Sequence, residues 1–219
     1  RLPEKIVVEI VTEIVDVGTI SGEEHAPLLI DDIVNSYEIR FHKFLEEKTE
    51  AIENFTDKIR VAADSDKPDS HLDSMVEQLI QVVKYWDSVA QPIQVSTKSR
   101  GLEHDASHQV AAIVRKLAIH LFNKHGRLDL AQQLTNLLQD AFAEVGKIAE
   151  CTAEDTEILE EIAESRKFDN LLSPIFALCK DALEKAGEKP SSADKQVQRI
   201  FDATPDFLAK LENADTPDE

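Results

Sequence analysis

An all-α protein is what this sequence predicts, and three observations predict it. Apolar residues return every three or four positions along most of the chain, as they do in a helix with one buried face. Turn punctuation is scarce, with 6 Gly and 8 Pro in 219 residues. Ala, Leu, Glu and Gln, all good helix formers, are abundant. The expected architecture is an antiparallel helical bundle or array of about eight helices, one of them long. It forms a single domain over residues 1–212, with a subdivision near 94–105 as the alternative and a disordered polar tail at 213–219.

The opening "RLPEKIVVEIVTEIVDVG" is rich in β-branched residues, which alone favour a strand. Glu9, Glu13 and Asp16 nevertheless recur at helical spacing, with Val7, Ile10, Val11, Ile14 and Val15 on the complementary face. Pro3 suits a first turn and Gly18 a C-terminal cap, so the segment reads as a helix. In "SGEE", Ser21 and Glu24 have the spacing of a capping box. From Pro27 to about Ala63 the residues Ile30, Ile33, Val34, Tyr37, Phe41, Phe44, Leu45, Ile52, Phe55, Ile59 and Ala62 form one uninterrupted stripe. At 1.5 Å per residue this second helix is a rod longer than about 50 Å. "DSDKPDS" ends it, and Ser70 is placed to cap a third helix with Leu72, Met75, Val76, Leu79, Val82, Val83, Trp86 and Val89 on its inner face. Pro92 is expected to end or kink that helix, because proline disfavours helical backbone in the residue before it.

"QPIQVSTKSRGLEHDASHQV", residues 91–110, has no clean hydrophobic period. It reads as a connector first and a binding surface second. Periodicity returns with Val110, Ile113, Val114, Leu117, Ala118 and Leu121, breaks at "KHGR", and resumes with Leu130, Ala131, Leu134, Leu137, Leu138, Ala141, Phe142 and Val145. So short a break makes these two helices an antiparallel hairpin. Thr152 and Asp155 form a capping pair for the acidic "AEDTEILEEIAESR". Ser173 and Pro174 open another helix, closed by Gly187, before the loop "EKPSS". Val197, Ile200 and Phe201 mark a short helix, and "TPDFLAKLEN" starts one more.

"LFNKHGRLDLAQQLTNLL" carries Phe122, the turn residue Gly126, Ala131 and Leu138, and in these it resembles one tetratricopeptide-type hairpin. In that family the aromatic, the turn glycine and the small alanine let two helices approach closely, so the resemblance implies tight packing of this pair. Arg115 and Ile119 stand where an aromatic and a small residue are usual, Ala143 stands where a proline is usual, and no second copy follows at a period of about 34 residues. The longer run from "YWDSVAQPIQVSTKSRG" to "NKHGRLDLAQQLT" is similar to helical regions accompanying J-domains in bacterial multidomain proteins. No HPD tripeptide, the J-domain signature, is present. This second resemblance implies an accessory helical region of a chaperone-associated protein.

Twenty-four Lys and Arg against 43 Asp and Glu give a formal charge of −19. Such a surface repels phosphate backbones and anionic membranes, so no nucleic acid is expected as a partner. No run reaches the roughly 18 apolar residues of a membrane span, and no membrane is expected in this segment. Cys151 and Cys179 lack CxxC or Cys/His spacing; neither a zinc site nor a disulfide is suggested, and each is expected to be a small buried residue. No signal peptide is visible, and the chain opens on Arg1, as expected of a piece of a longer protein. The expected compartment is the cytoplasm.

His104 and His108 lie four apart, with Glu103 and Asp105 as nearby oxygen donors, the ligand types a divalent transition metal uses. A metal-dependent hydrolase centred on them is the enzyme alternative. No HExxH pattern or Glu-x-x-His pair accompanies them, so structural or surface histidines are the plainer reading and no metal is assigned. Lys98, Arg100, Arg115 and Lys116 concentrate positive charge beside an expected helix start, where unpaired N–H groups attract an acidic peptide or phosphate. The competing reading pairs them with neighbouring carboxylates. Trp86, the sole tryptophan, suits a core or an interaction anchor. His120 and His125 flank a helix C-terminus, where the dipole favours an imidazolium. No nucleophile elbow and no phosphate-cradling glycine loop occurs, and the carboxylates of "EDTEILEE" are expected to be solvated. No catalytic residue and no cofactor is assigned. The candidates for binding a partner or anion are Trp86, Gln94, Lys98, Arg100, His104, His108 and Arg115. The expected function is a non-enzymatic helical module that binds another protein or peptide, in a groove between antiparallel helices or along the long second helix, whose stripe also offers a route to self-association.

Overall fold

A computed structural model describes residues 3–65, 69–188 and 193–214. Among them are seven helices and no strand: α1 (Glu4–Thr19), α2 (Leu28–Ala63), α3 (Asp69–Ser99), α4 (Asp105–His125), α5 (Leu128–Ala141), α6 (Gly146–Glu188) and α7 (Ala193–Ala214). The count falls below the number expected because Pro174 and Pro205 are carried inside helices rather than separating them, and Pro92 likewise lies inside α3. Packing divides the chain into a first unit, Arg1–Leu159, and a second, Glu160–Glu219. Residues 94–105 lie inside the first.

α3 is the central element of the first unit, packed against α1, α2 and α5, while α4 packs against α2 and α5. α2 and α3 run antiparallel, with Tyr37 meeting Val89 near one end and Thr49 meeting Trp86 farther along. Most of the α2 stripe is buried as its periodicity predicted: Val34, Tyr37, Phe41, Leu45, Ile52, Ile59 and Ala62 face inward together with Thr49 and Thr56, while Ile30, Ile33, Phe44 and Phe55 are half-buried. Each large apolar side chain buried this way contributes roughly 1.5–3 kcal/mol. The stripe is thus occupied within the first unit.

Residues 91–99 are the closing turns of α3, which corrects their reading as a connector. Pro92, Ile93, Gln94, Val95, Ser96 and Thr97 are all buried. A helix covered on every side has no polar face, and its hydrophobic period therefore vanishes. Pro92 removes one backbone donor, and Ser88, four residues back, is exposed, so water can take the freed carbonyl. On the inner side the Tyr37 hydroxyl donates to the Val89 carbonyl at 2.8 Å, reinforcing the ladder beside the proline from α2. Only 100–104 then connect α3 to α4, which His104 precedes and Gly126 ends at φ 66°.

The α1–α2 connection also departs from expectation. Gly18 lies inside α1, and a Cβ there would stand 2.0 Å from Ile30 Cδ1, so its role is the close approach of α2. The left-handed cap is Ile20, followed by Ser21 and Gly22, also at positive φ. Ser21 and Glu24 form no capping box; their N–H groups donate to the Asp16 and Thr19 carbonyls, each at 2.8 Å. α2 starts behind Pro27, and Ser70 sits within the first turn of α3 rather than capping it. Residues 66–68 of "DSDKPDS" lie outside the described residues.

Thr152 and Asp155 lie within α6 and cap nothing: the Thr152 hydroxyl donates to the Ile148 carbonyl at 2.9 Å. Ser173, Pro174 and Gly187 are likewise interior to α6, and the two short helices expected near the end are one, α7. Pro174 and Pro205 sit on exposed stretches, where solvent can serve the carbonyls they leave unpaired. Cys151, expected to be buried, is exposed, and Cys179 is half-buried; both are free thiols. In the second unit Phe168, Phe176, Leu183, Val197, Phe201 and Leu208 are exposed. Residues 189–192 of "EKPSS" and 215–219 of the expected tail lie outside the described residues, while 213 and 214 belong to α7. No helix among the described residues is long and apolar enough to cross a membrane.

Candidate functional site

Trp86, Gln94 and His104, candidates from three places in the sequence, meet in one cluster, buried at Trp86 and Gln94 and half-buried at His104. The Trp86 indole N–H donates to Thr49 Oγ1 at 3.0 Å and to the Leu45 carbonyl at 3.3 Å, pinning α3 to α2. His104 lies against the indole, with ring centroids 6.4 Å apart. Gln94, 2% exposed, donates through Nε2 to Asp87 Oδ1 at 3.2 Å and to Ser107 Oγ at 2.9 Å. Ser107 Oγ in turn lies 2.7 Å from His104 Nδ1. Because Gln94 already donates to Ser107, the serine hydroxyl is free to donate to an unprotonated Nδ1. Burial holds the His104 imidazole below its ordinary pKa, consistent with that neutral ring. Burial also pushes the Asp87 carboxyl up to about 7, opposed by the Gln94 hydrogen bond and assisted by the charge of Glu144.

Above this cluster opens the cleft between α2 and the α3–α4 junction, with a cavity volume of about 590 Å³. Leu45, Thr49, Ile93 and Thr97 form its buried floor. Glu38, Glu46, Glu50 and Glu53 line it from exposed positions on α2, spaced by multiples of about one turn, and Glu103 and Asp105 face them from the junction. Arg100 and the imidazoles of His42 and His104 are the other titratable groups of the lining. Six carboxylates, of which Glu103 is already paired with Lys147, thus surround one fixed cation of the lining over a floor of two aliphatic residues and two threonines. That electrostatic balance favours a cationic ligand with an apolar side.

The remaining candidates are dispersed. Lys98 bridges Glu23 at 3.1 Å and Glu144 at 3.0 Å. Its ammonium is raised above its ordinary pKa chiefly by the Glu144 hydrogen bond. Arg115 grips Asp155 with Nε at 2.5 Å and Nη2 at 2.8 Å, a bidentate tie from α4 to α6 within the first unit. His108 lies 3.4 Å from Glu103, which also pairs with Lys147 at 2.6 Å. Arg100 donates through Nε back to the end of α3 at the Ser96 carbonyl, 3.2 Å away. Lys98 and Arg115 are thus spent on intramolecular carboxylates. His104 and His108 gather no third metal-ligand atom among the described residues.

The cleft carboxylates of α2 were missed in the sequence, although Glu38, Glu46 and Glu50 recur at fourfold spacing. On an isolated helix such spacing looks like an ordinary solvated face; only the arrival of the α3–α4 junction opposite makes it a wall. The geometry therefore defines an all-helical protein with an acid-lined cleft over a partly apolar floor. No family model, no curated protein and no solved structure matches the chain.

Proposed function

We propose that the chain is a non-enzymatic helical interaction module that holds a basic, amphipathic segment of another protein in the cleft between α2 and the α3–α4 junction. One observation carries this: six carboxylates rim a 590 Å³ cavity whose floor includes Leu45 and Ile93. A helix or extended strand with lysines or arginines on one side and aliphatic residues on the other matches both features. Charge attraction then speeds encounter, while the floor supplies the apolar contact. Binding of an acidic peptide or phosphate is less well supported, since Lys98 and Arg115 are already paired. The α4–α5 hairpin suits the tetratricopeptide resemblance, while the resemblance to helical regions accompanying J-domains carries the alternative, an accessory region of a larger chaperone-associated protein.

The test is affinity capture with the intact chain as bait, set beside a Glu46→Lys/Glu50→Lys double variant. A cation-binding cleft predicts partners with basic segments, retained at low salt, depleted at high salt because exposed charges are screened, and lost from the variant. Capture indifferent to both salt and charge reversal would count against it.

A further inference from the structure

At the opposite end of α2, three side chains from two helix ends converge. Asp64 is the C-cap residue of α2, and His120 and His125 lie in the last turns of α4. Both Nε2 atoms approach the same carboxylate oxygen, His125 at 3.0 Å and His120 at 3.5 Å from Asp64 Oδ1. The imidazole ring centroids are 5.3 Å apart, and one ligand atom from each residue falls within 4.8 Å of the others. His120 Nε2 is buried and makes no hydrogen bond among the described residues.

We infer that Asp64, His120 and His125 form a binding site for a zinc-class divalent ion. Zinc bonds of about 2.0–2.1 Å in a tetrahedron set neighbouring ligand atoms about 3.3 Å apart, the range these contacts already span. Two imidazoles and one carboxylate select a borderline transition metal over magnesium or calcium, which prefer all-oxygen shells. Water completes the fourth position. Lys124 and Arg60 oppose a cation from nearby, but Arg60 is itself held by Asp57 at 3.1 Å. The ion ties the end of α2 to the end of α4, a structural clamp remote from the cleft and independent of what the cleft binds. The histidines are five apart, outside the usual HxxxH spacing, and their third ligand is 56 positions before the first of them.

Titration calorimetry of the full chain with zinc alone tests the site, with melting followed in parallel. One ion per chain is expected, with a rise in melting temperature that magnesium does not produce. Changes around metal ligands alone cost about 10–100-fold in affinity, so His120→Gln/His125→Gln should lower zinc affinity by at least about 100-fold. An exposed-histidine control outside both the cleft and this cluster, His25→Gln, should leave it unchanged. No uptake by the parent chain, or undiminished uptake in the double variant, overturns the site. Should that variant lose its helical spectrum, unaltered affinity in His125→Gln overturns it equally.

Discussion

Asp87 shows how one buried group writes itself into the behaviour of the chain. Its carboxyl rises from an ordinary 3.8 to about 7, burial being the main cause. Between those values the folded chain keeps a proton that the unfolded chain has released. The resulting stability is fully present below about pH 4, fades as pH climbs toward 7, and is gone above it. His104 acts in the opposite sense: its depressed pKa contributes stability above the unfolded value of 6.5 that is lost as pH falls. Asp87→Asn isolates the first effect, since an asparagine oxygen still accepts from Gln94. Urea unfolding at pH 4, 6 and 8 should find the variant matched with the parent at pH 4 and more stable at pH 8, by an amount on the order of 1–4 kcal/mol. A difference that does not change with pH would contradict burial of the charged form as the cause. Trp86 was legible in the sequence as a core residue from its place in the α3 stripe. Gln94 was not, because nothing local announces that Asp87 and Ser107, 7 and 13 positions away, will bracket its amide.

At the scale of elements, amphipathic helices were legible and punctuation was not. The α2 stripe and the α4–α5 hairpin follow from local periodicity, because each of these helices keeps an exposed polar face beside its buried one. The closing turns of α3 defeated that logic because α3 is enclosed by several helices, and Pro92 was overvalued because Tyr37 and solvent both serve the backbone around it. In the α1–α2 connection, Gly22 has φ 86°, and a Cβ there would meet Lys98 Cδ at 3.0 Å and the Val95 carbonyl oxygen at 3.3 Å. Gly101 shares a positive φ, 67°, but has nothing within 4 Å. Left-handed backbone costs an L-residue roughly 1–2 kcal/mol. Gly101→Ala should lose about that much stability, and Gly22→Ala more, because the Val95 carbonyl cannot step aside as a lysine side chain can. Chemical denaturation of the two variants gives the comparison; equal losses would mean that the connection does not press on α3.

The whole chain carries a net charge of −19, and among the described residues three of its cations tie distant segments together. Lys98 joins Glu23 to Glu144, Arg115 holds Asp155, and Arg127 gathers Asp69, Asp73 and Asp129 at the starts of α3 and α5. Composition announced the excess of acid but not its placement, which depends on which helix faces which. The sequence concentrated attention on basic residues near 98–116; folding pairs Lys98 and Arg115 and leaves six carboxylates around the α2 cleft. Backbone amide chemical shifts of the labelled chain, recorded while a synthetic amphipathic helix with a lysine face is added at low salt, test that cleft most directly. A binding cleft predicts saturable shifts centred on Glu46, Glu50, Thr97, Arg100 and Gln109, and their loss in Glu46→Lys/Glu50→Lys. Shifts scattered evenly over the acidic surface, or none at the α3–α4 junction, would contradict it.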